Sequence, residues 1–142
     1  MLKTKLLFLF LILTCLGSLH AEQNLFRLPK SADITWEFTS KDDADGTPTT
    51  TVFVMINGNK IEIITEIGSF YEIPASDFKS YKIPKSALAA CQGWWAGAGC
   101  QIWIVDGGRS YNVMRRDIEE GNPDHPYDYT TKPKKIKSIM ID

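Results

Sequence analysis

Two alternating apolar segments on either side of Asn57-Gly58-Asn59 constrain the fold more than any other feature of the chain. In Thr49 to Ile56 and in Lys60 to Ile67, apolar residues recur at every second position, which is the period of a half-buried β-strand. Asparagine and glycine tolerate the positive φ angles that a two-residue hairpin loop requires. The sequence therefore predicts a β-hairpin, with either Asn57-Gly58 or Gly58-Asn59 as its loop.

The alternation also predicts which side chains of this hairpin enter a core. One face carries Val52, Val54, Ile56, Ile61, Ile63 and Ile67, which we expect to be buried. The opposite face carries Phe53, Met55 and Ile64 and is too apolar for full exposure to solvent. One functional alternative follows from this second face, namely a structural subunit of an envelope oligomer in which the face is covered.

Further strands are predicted where apolar residues alternate with polar ones or form short runs. These segments are Asp33 to Thr39, Gln101 to Val105, Arg109 to Arg116 and Lys134 to Ile141. Proline suits a first helical turn, so Pro84 to Ala90 is expected to form one short helix. The predicted fold is mainly β: a small antiparallel barrel or sandwich of about six strands, with one short helix and one disulfide.

The N-terminal residues have the pattern of a secretory signal peptide. Lys3 and Lys5 precede the apolar run Leu6 to Leu13, and small residues follow up to Ala21. We therefore expect a signal peptide at residues 1–21 and a single secreted β domain at residues 22–142, in the periplasm or outside the cell. Cleavage after Ala21 would leave 14 basic and 17 acidic residues. That balance argues against a nucleic-acid partner.

Cys15 offers an alternative to simple cleavage, because it follows the apolar run as the lipid-attachment cysteine of bacterial lipoproteins does. Thr14 precedes it, where that class has a small residue. Ordinary cleavage is the favoured prediction, and membrane attachment is expected only if Cys15 is lipidated.

Cys91 and Cys100 are the two cysteines that remain after the predicted cleavage. An even number of cysteines in an exported chain favours a disulfide, which we expect to close the intervening loop. That loop contains Trp94 and Trp95 among three glycines. The sequence thus predicts a disulfide-closed loop that leads into a buried strand.

The tryptophan pair is the strongest candidate for recognition. Neighbouring side chains on extended backbone point to opposite sides, so Trp94 and Trp95 should not both enter one core. An indole exposed beside glycines could contact a sugar, a lipid or a partner protein. The alternative is that both rings are buried at the end of the barrel beneath the disulfide. Gln92, in the same segment, and Tyr111, on the returning strand, complete the candidate binding set.

Catalytic and metal chemistry find little support in the sequence. His125 is the one histidine left after the predicted cleavage and cannot form a multi-histidine metal site. We therefore predict no catalytic residues, no metal site and no cofactor. The favoured function is an exported, non-enzymatic binding module for a protein or carbohydrate partner in the cell envelope. A small secreted hydrolase that uses an Asp/Glu pair is a further alternative.

Overall fold

The computed structural model describes residues 33–119, 124, 127 and 130–140. The predicted signal peptide, Cys15 and His125 lie outside these residues. Eight strands are formed within the described residues: β1 (Ile34–Asp42), β2 (Pro48–Ile56), β3 (Asn59–Ile67), β4 (Ser69–Ile73), β5 (Ala87–Trp95), β6 (Ala98–Asp106), β7 (Ser110–Ile118) and β8 (Lys134–Met140). They form two antiparallel sheets, β1-β2-β3 and β4-β5-β6-β7-β8. The mainly β prediction is confirmed, with eight strands rather than about six.

The predicted β2–β3 hairpin is confirmed, and its loop is Asn57-Gly58. Both residues have positive φ, 51° and 80°, as this type of tight turn requires. Val52, Val54 and Ile56 are buried as expected. A β-bulge between Val52 and Phe53 changes the register, so that Val52 faces Ile64.

This register change corrects two of the expected hairpin positions. Ile64 pairs with buried Val52, whereas the sequence predicted it on the opposite face with Phe53. Ile67 was expected in the core but is 61% exposed. The bulge adds one residue to one strand, which shifts the faces of the residues beyond it.

Gly68 is the corner at which the chain passes from the first sheet to the second. Its φ is 129°, its N–H donates to the Pro48 carbonyl at 2.9 Å, and its own carbonyl accepts from Thr50 Oγ1 at 2.6 Å. A Cβ at this position would lie 3.3 Å from the Trp94 carbonyl oxygen. The positive φ and the close backbone together explain why glycine occupies the corner.

The short helix predicted at Pro84 to Ala90 is wrong, because β5 begins at Ala87. A 3-10 turn is formed further upstream, at Ala75–Asp77. β5 pairs with β4 on one side and β6 on the other. The ladder hydrogen bonds of a central strand therefore override the local helix signal in Ala87 to Ala90.

The structure does not contain the predicted disulfide, and Cys91 and Cys100 are free thiols. The segment between them is a β-hairpin that turns at Ala96-Gly97, where φ is 51° and 84°. In its register Cys91 faces Ile102, and Cys100 faces Gly93. The two cysteines are thus diagonal neighbours, typically about 7 to 8 Å apart at Cα, which exceeds ordinary disulfide geometry.

The core lies between the two sheets. The first sheet contributes Trp36, Val52, Val54 and Ile56, and the second contributes Cys91, Ile102, Ile104 and Val113. Phe38 stacks on Phe70 across the sheets, with ring centroids 6.4 Å apart. This arrangement is consistent with a β-sandwich, and the sheets do not close into a barrel within the described residues.

The outer face of the five-stranded sheet is covered by the segment between β4 and β5. Ile73, Ile83, Ala90 and Trp103 form a second buried cluster there, against which Phe78 and Tyr81 pack. Both faces of this sheet are therefore partly buried, which explains the uninterrupted apolar run Ile102 to Val105 in β6.

Candidate binding groove

A groove of about 560 Å³ opens at one end of the sandwich. It is formed by the end of β3, by β4, by the β5–β6 hairpin and by the end of β7. The larger side chains that line it are those of Glu66, Ile67, Phe70, Trp95, Cys100, Arg115, Asp117, Ile118 and Glu119. Thr131 and the small residues Gly93, Ala98 and Gly99 also line the groove, and the small residues leave room beside Trp95.

Trp95 is the member of the predicted binding set that lines the groove. It is the last residue of β5 and pairs with Ala98 across the tight turn. Its side chain is 43% exposed, which is high for a tryptophan. Its cross-strand neighbour, Ala98, is small and also lines the groove.

Trp94 lies on the opposite face of the hairpin and is half-buried. It pairs with Gly99, and a Cβ at Gly99 would lie 2.8 Å from the Trp94 ring atom Cε3. The ring therefore occupies the space that a larger residue would fill. Trp94 has a packing role on the hairpin, whereas Trp95 faces the groove.

Gln92 and Tyr111 are both buried away from the groove. Gln92 is 3% exposed and lies on the outer face of β5, in phase with Trp94. Tyr111 is also 3% exposed and pairs with Asp106 at the far end of β7. Burial, with a smaller contribution from Asp106, raises the pKa of Tyr111. The structure thus does not bring the four predicted binding residues together.

Arg115 organises the polar side of the groove. It donates through Nη1 and Nη2 to both carboxylate oxygens of Glu66, with an Nη2–Oε2 distance of 3.0 Å, and through Nε to Asp117 Oδ1 at 2.8 Å. Burial lowers the pKa of Arg115, but the hydrogen bonds with Glu66 and Asp117 outweigh it and raise the pKa overall. The guanidinium is therefore firmly charged and held between two carboxylates.

The Cys100 thiol forms part of the groove lining but is only 3% exposed. Burial raises its pKa to about 12; Arg115 acts in the opposite direction, and Glu66 and Asp117 add to the rise. Sγ lies 3.9 Å from Glu66 Oε2. A nucleophilic cysteine needs a thiolate near neutral pH, so this thiol is suited to packing rather than to covalent catalysis.

Arg115 and Asp117 were not predicted as site residues, although the sequence contains a signal for them. Arg115 and Asp117 continue the phase of Tyr111 and Val113 in β7, and both of those are buried. A charged residue in the buried phase of a strand needs a partner, and that need could have singled out Arg115.

A second polar cluster, also missed, lies on the outer face of the same sheet. Arg116 Nε donates to Gln101 Oε1 at 2.7 Å, Gln101 Nε2 donates to Gln92 Oε1 at 2.9 Å, and Gln92 Nε2 donates to the Tyr71 hydroxyl at 2.8 Å. Arg116 and Gln101 also donate to the Tyr81 carbonyl. These bonds fix the segment after β4 onto the sheet, which is a structural role.

One carboxylate of the groove is fully engaged within the protein. Both oxygens of Glu66 accept hydrogen bonds from Arg115, so this carboxylate is not presented to a substrate. Within the described residues, no group of three His, Cys, Asp or Glu side chains is arranged to hold a metal ion. None of these residues forms a helix with the length and apolarity needed to span a bilayer.

Comparisons of the chain with protein-family models, with curated proteins and with solved structures found no match. The chain forms an antiparallel two-sheet β domain with an open groove, which combines an exposed tryptophan with an ion-paired arginine.

Proposed function

We propose that this protein is an exported, non-enzymatic binding module that holds a protein or carbohydrate partner of the cell envelope in the groove beside Trp95. The 43% exposure of the Trp95 side chain is the observation that carries the proposal. Export rests on the sequence pattern of residues 1–21, and the secreted domain is residues 22–142.

An exposed indole beside a groove favours recognition for a physical reason. Tryptophan provides a large apolar surface at a low cost in side-chain entropy and is enriched among the residues that dominate binding energy. Ile67, 61% exposed, lines the same groove. Covering both side chains with a partner would remove apolar surface from water.

The hydrolase alternative has weaker support. A glycosidase needs two carboxyl groups that face the substrate at a suitable separation, one of them as an acid. Here Arg115 lies between Glu66 and Asp117 and binds both. The arrangement favours a charged surface over an acid–base pair.

The alternative of an oligomer subunit depended on an apolar outer face with Phe53, Met55 and Ile64. Ile64 pairs with buried Val52, and Phe53 is covered by Lys60, whose Nζ lies 4.3 Å from the ring centroid. Lys60 in turn forms an ion pair with Glu37. This face is less apolar than the sequence indicated, so the oligomer proposal loses its main support.

Screening the purified domain against a glycan array and a random peptide-display library tests the proposal. Ligands should be found whose affinity falls at least about tenfold in Trp95→Ala, the loss expected when a central aromatic contact is removed. Leu88→Ala is a matched control, since Leu88 lies on the same strand, is 46% exposed and is outside the groove. If every ligand binds the two variants equally well, the proposal fails.

A further inference from the structure

The charge of the groove is unbalanced. Among the described residues, its lining includes the carboxylates of Glu66, Asp117 and Glu119 and one guanidinium, that of Arg115, a formal excess of two negative charges. A groove with low-dielectric walls strengthens the field of such groups. An anionic occupant would be repelled, and a cationic one would be attracted.

The charged groups of the groove differ in their exposure to solvent, and the exposed ones are those that an occupant would contact. Arg115 binds both oxygens of Glu66 and Oδ1 of Asp117, and its side chain is only 18% exposed. The Asp117 side chain is 41% exposed, and Glu119 is exposed at the end of β7. The guanidinium is therefore the inner part of the cluster, and the carboxylates of Asp117 and Glu119 are its outer part.

Apart from Thr131, the remaining described residues of the lining are mainly apolar. Trp95 and Ile67 are exposed, and Phe70 and Ile118 also belong to the lining. A lysine or arginine side chain combines a long alkyl stem with a cationic end, and such side chains bury the stem along apolar surface. The cation can also interact with the face of an indole ring.

We propose that the groove binds a lysine or arginine side chain of a protein partner, with the alkyl stem along Trp95 and Ile67 and the cation at Asp117 and Glu119. This inference rests on the proposed binding function and assigns its partner to a chemical class. A neutral or acidic polysaccharide would leave the excess negative charge of the groove unmatched.

The test uses peptides selected from a random display library on the purified domain and retained only if Trp95→Ala abolishes their binding. We expect these peptides to be enriched in lysine or arginine. Replacing the one essential basic residue by norleucine, which keeps a similar stem without the charge, should weaken binding at least tenfold. The affinity should also fall as the salt concentration rises.

Two variants of the domain test whether the carboxylates of the groove, rather than the overall charge, attract the peptide. Glu119→Gln should weaken the same peptides about three- to fivefold at low salt, the range expected of one exposed ion pair. Glu62→Gln removes an equal charge from an exposed position outside the groove and should leave the affinity unchanged. An equal effect of both variants would mean that only the overall charge matters, and would overturn the inference.

The remaining outcomes separate this inference from the proposed function. If Trp95-dependent ligands are found but are glycans or peptides without a required basic residue, the binding function stands and the basic-side-chain inference is wrong. If neither library yields a Trp95-dependent ligand, both proposals fail.

Discussion

Arg115 on β7 and Glu66 on β3 form a two-pronged ion pair that joins the five-stranded sheet to the three-stranded sheet. Their side chains are 18% and 35% exposed, so the pair lies at the boundary between core and solvent. Planar guanidinium–carboxylate contacts of this kind fix orientation as well as charge. The pair therefore helps to fix the position of β3 relative to the end of β7, where the groove opens.

Breaking this ion pair should destabilise the fold, and the effects of replacing its two members should not be additive. We expect Arg115→Met and Glu66→Gln each to lower the free energy of unfolding by about 1 to 2 kcal/mol. The first leaves the Glu66 carboxylate without its partner, and the second leaves the partly buried guanidinium with Asp117 as its one remaining carboxylate partner among the described residues. The double variant should lose about 1 kcal/mol less than the sum of the two. Urea unfolding of the four proteins measures this coupling.

The exposed ion pair of Lys60 and Glu37 is the matched control, with side chains 44% and 46% exposed. Its coupling in the same double-variant cycle should be below about 0.5 kcal/mol, because solvent screens it. Equal couplings for the two pairs would contradict a special role for Arg115 and Glu66.

Gly93 should not tolerate even alanine. A Cβ there would lie 2.2 Å from Phe70 Cζ, because the phenyl ring rests on the glycine of the neighbouring strand. We expect Gly93→Ala to lower the free energy of unfolding by about 1 to 3 kcal/mol through overpacking. Adding Phe70→Leu should recover part of that loss, as measured by thermal or urea unfolding. Full stability of Gly93→Ala would show that the ring does not pack there.

The two cysteines should make stability depend on pH in the alkaline range. Burial raises the pKa of Cys91 well above its usual value and that of Cys100 to about 12. In the unfolded chain a thiol ionises near pH ~8.5. The folded state thus keeps the thiol protons at pH values where the unfolded state releases them, so ionisation of the unfolded chain lowers the stability of the fold as the pH rises. The full stability is present below about pH 8.5, and it is lost as the pH rises towards 12.

Between pH 9 and 10 each cysteine should therefore contribute a fall of up to about 1.4 kcal/mol per pH unit in the free energy of unfolding. Urea unfolding with a reductant present, at several pH values in this interval, measures the slope. Cys91→Ala and Cys100→Ala should each make the slope shallower. An unchanged slope in both variants would assign the effect to other groups.

The same burial predicts how the thiols react. Cys91 is 0% exposed and Cys100 is 3% exposed, so alkylation of the native protein at neutral pH should leave both unmodified. In denaturant without reductant, both should then react, as peptide mapping by mass spectrometry would show. If neither reacts until a reductant is added, the disulfide expected from the sequence exists and the β5–β6 register differs from the one described.

Trp36 should tolerate phenylalanine much better than alanine. Its indole Nε1 is buried, and no hydrogen-bond partner is found for it among the described residues. Trp36→Phe removes this unsatisfied donor along with some packing, so the net change in the free energy of unfolding should stay within about 1 kcal/mol. Trp36→Ala should cost about 3 to 5 kcal/mol. A comparable loss in both variants would imply a bound partner for the indole N–H.

The sequence predicted the parts of the fold that local pattern controls. The β2–β3 hairpin followed from alternation and from Asn57-Gly58, because the turn chemistry is contained in adjacent residues. The strand at Ala87 and the bulge beside Val52 were missed, since both depend on pairing with residues distant in sequence. A helix signal in four residues is weaker than the hydrogen bonds of a central strand.

The candidate site could be predicted only in part from the sequence. Alternation placed Trp94 and Trp95 on opposite sides of an extended segment but could not tell which side faces solvent. That is decided by the tertiary structure, in which Trp95 is 43% exposed and Trp94 is half-buried. Arg115 was missed because its two partners come from different positions, Glu66 on β3 and Asp117 two residues further along its own strand.

The amino-acid sequence by itself determined the β character of this chain, its first hairpin and the extended course of the segment with the paired tryptophans, because these depend on periodicity and turn preference over a few residues. Tertiary structure alone decided that Cys91 and Cys100 are diagonal neighbours and that Gly68 leads the chain into a second sheet. It also decided that Arg115 binds Glu66 beside Trp95. These outcomes depend on register and on contacts between sheets, and a single residue of register changes which side chains meet.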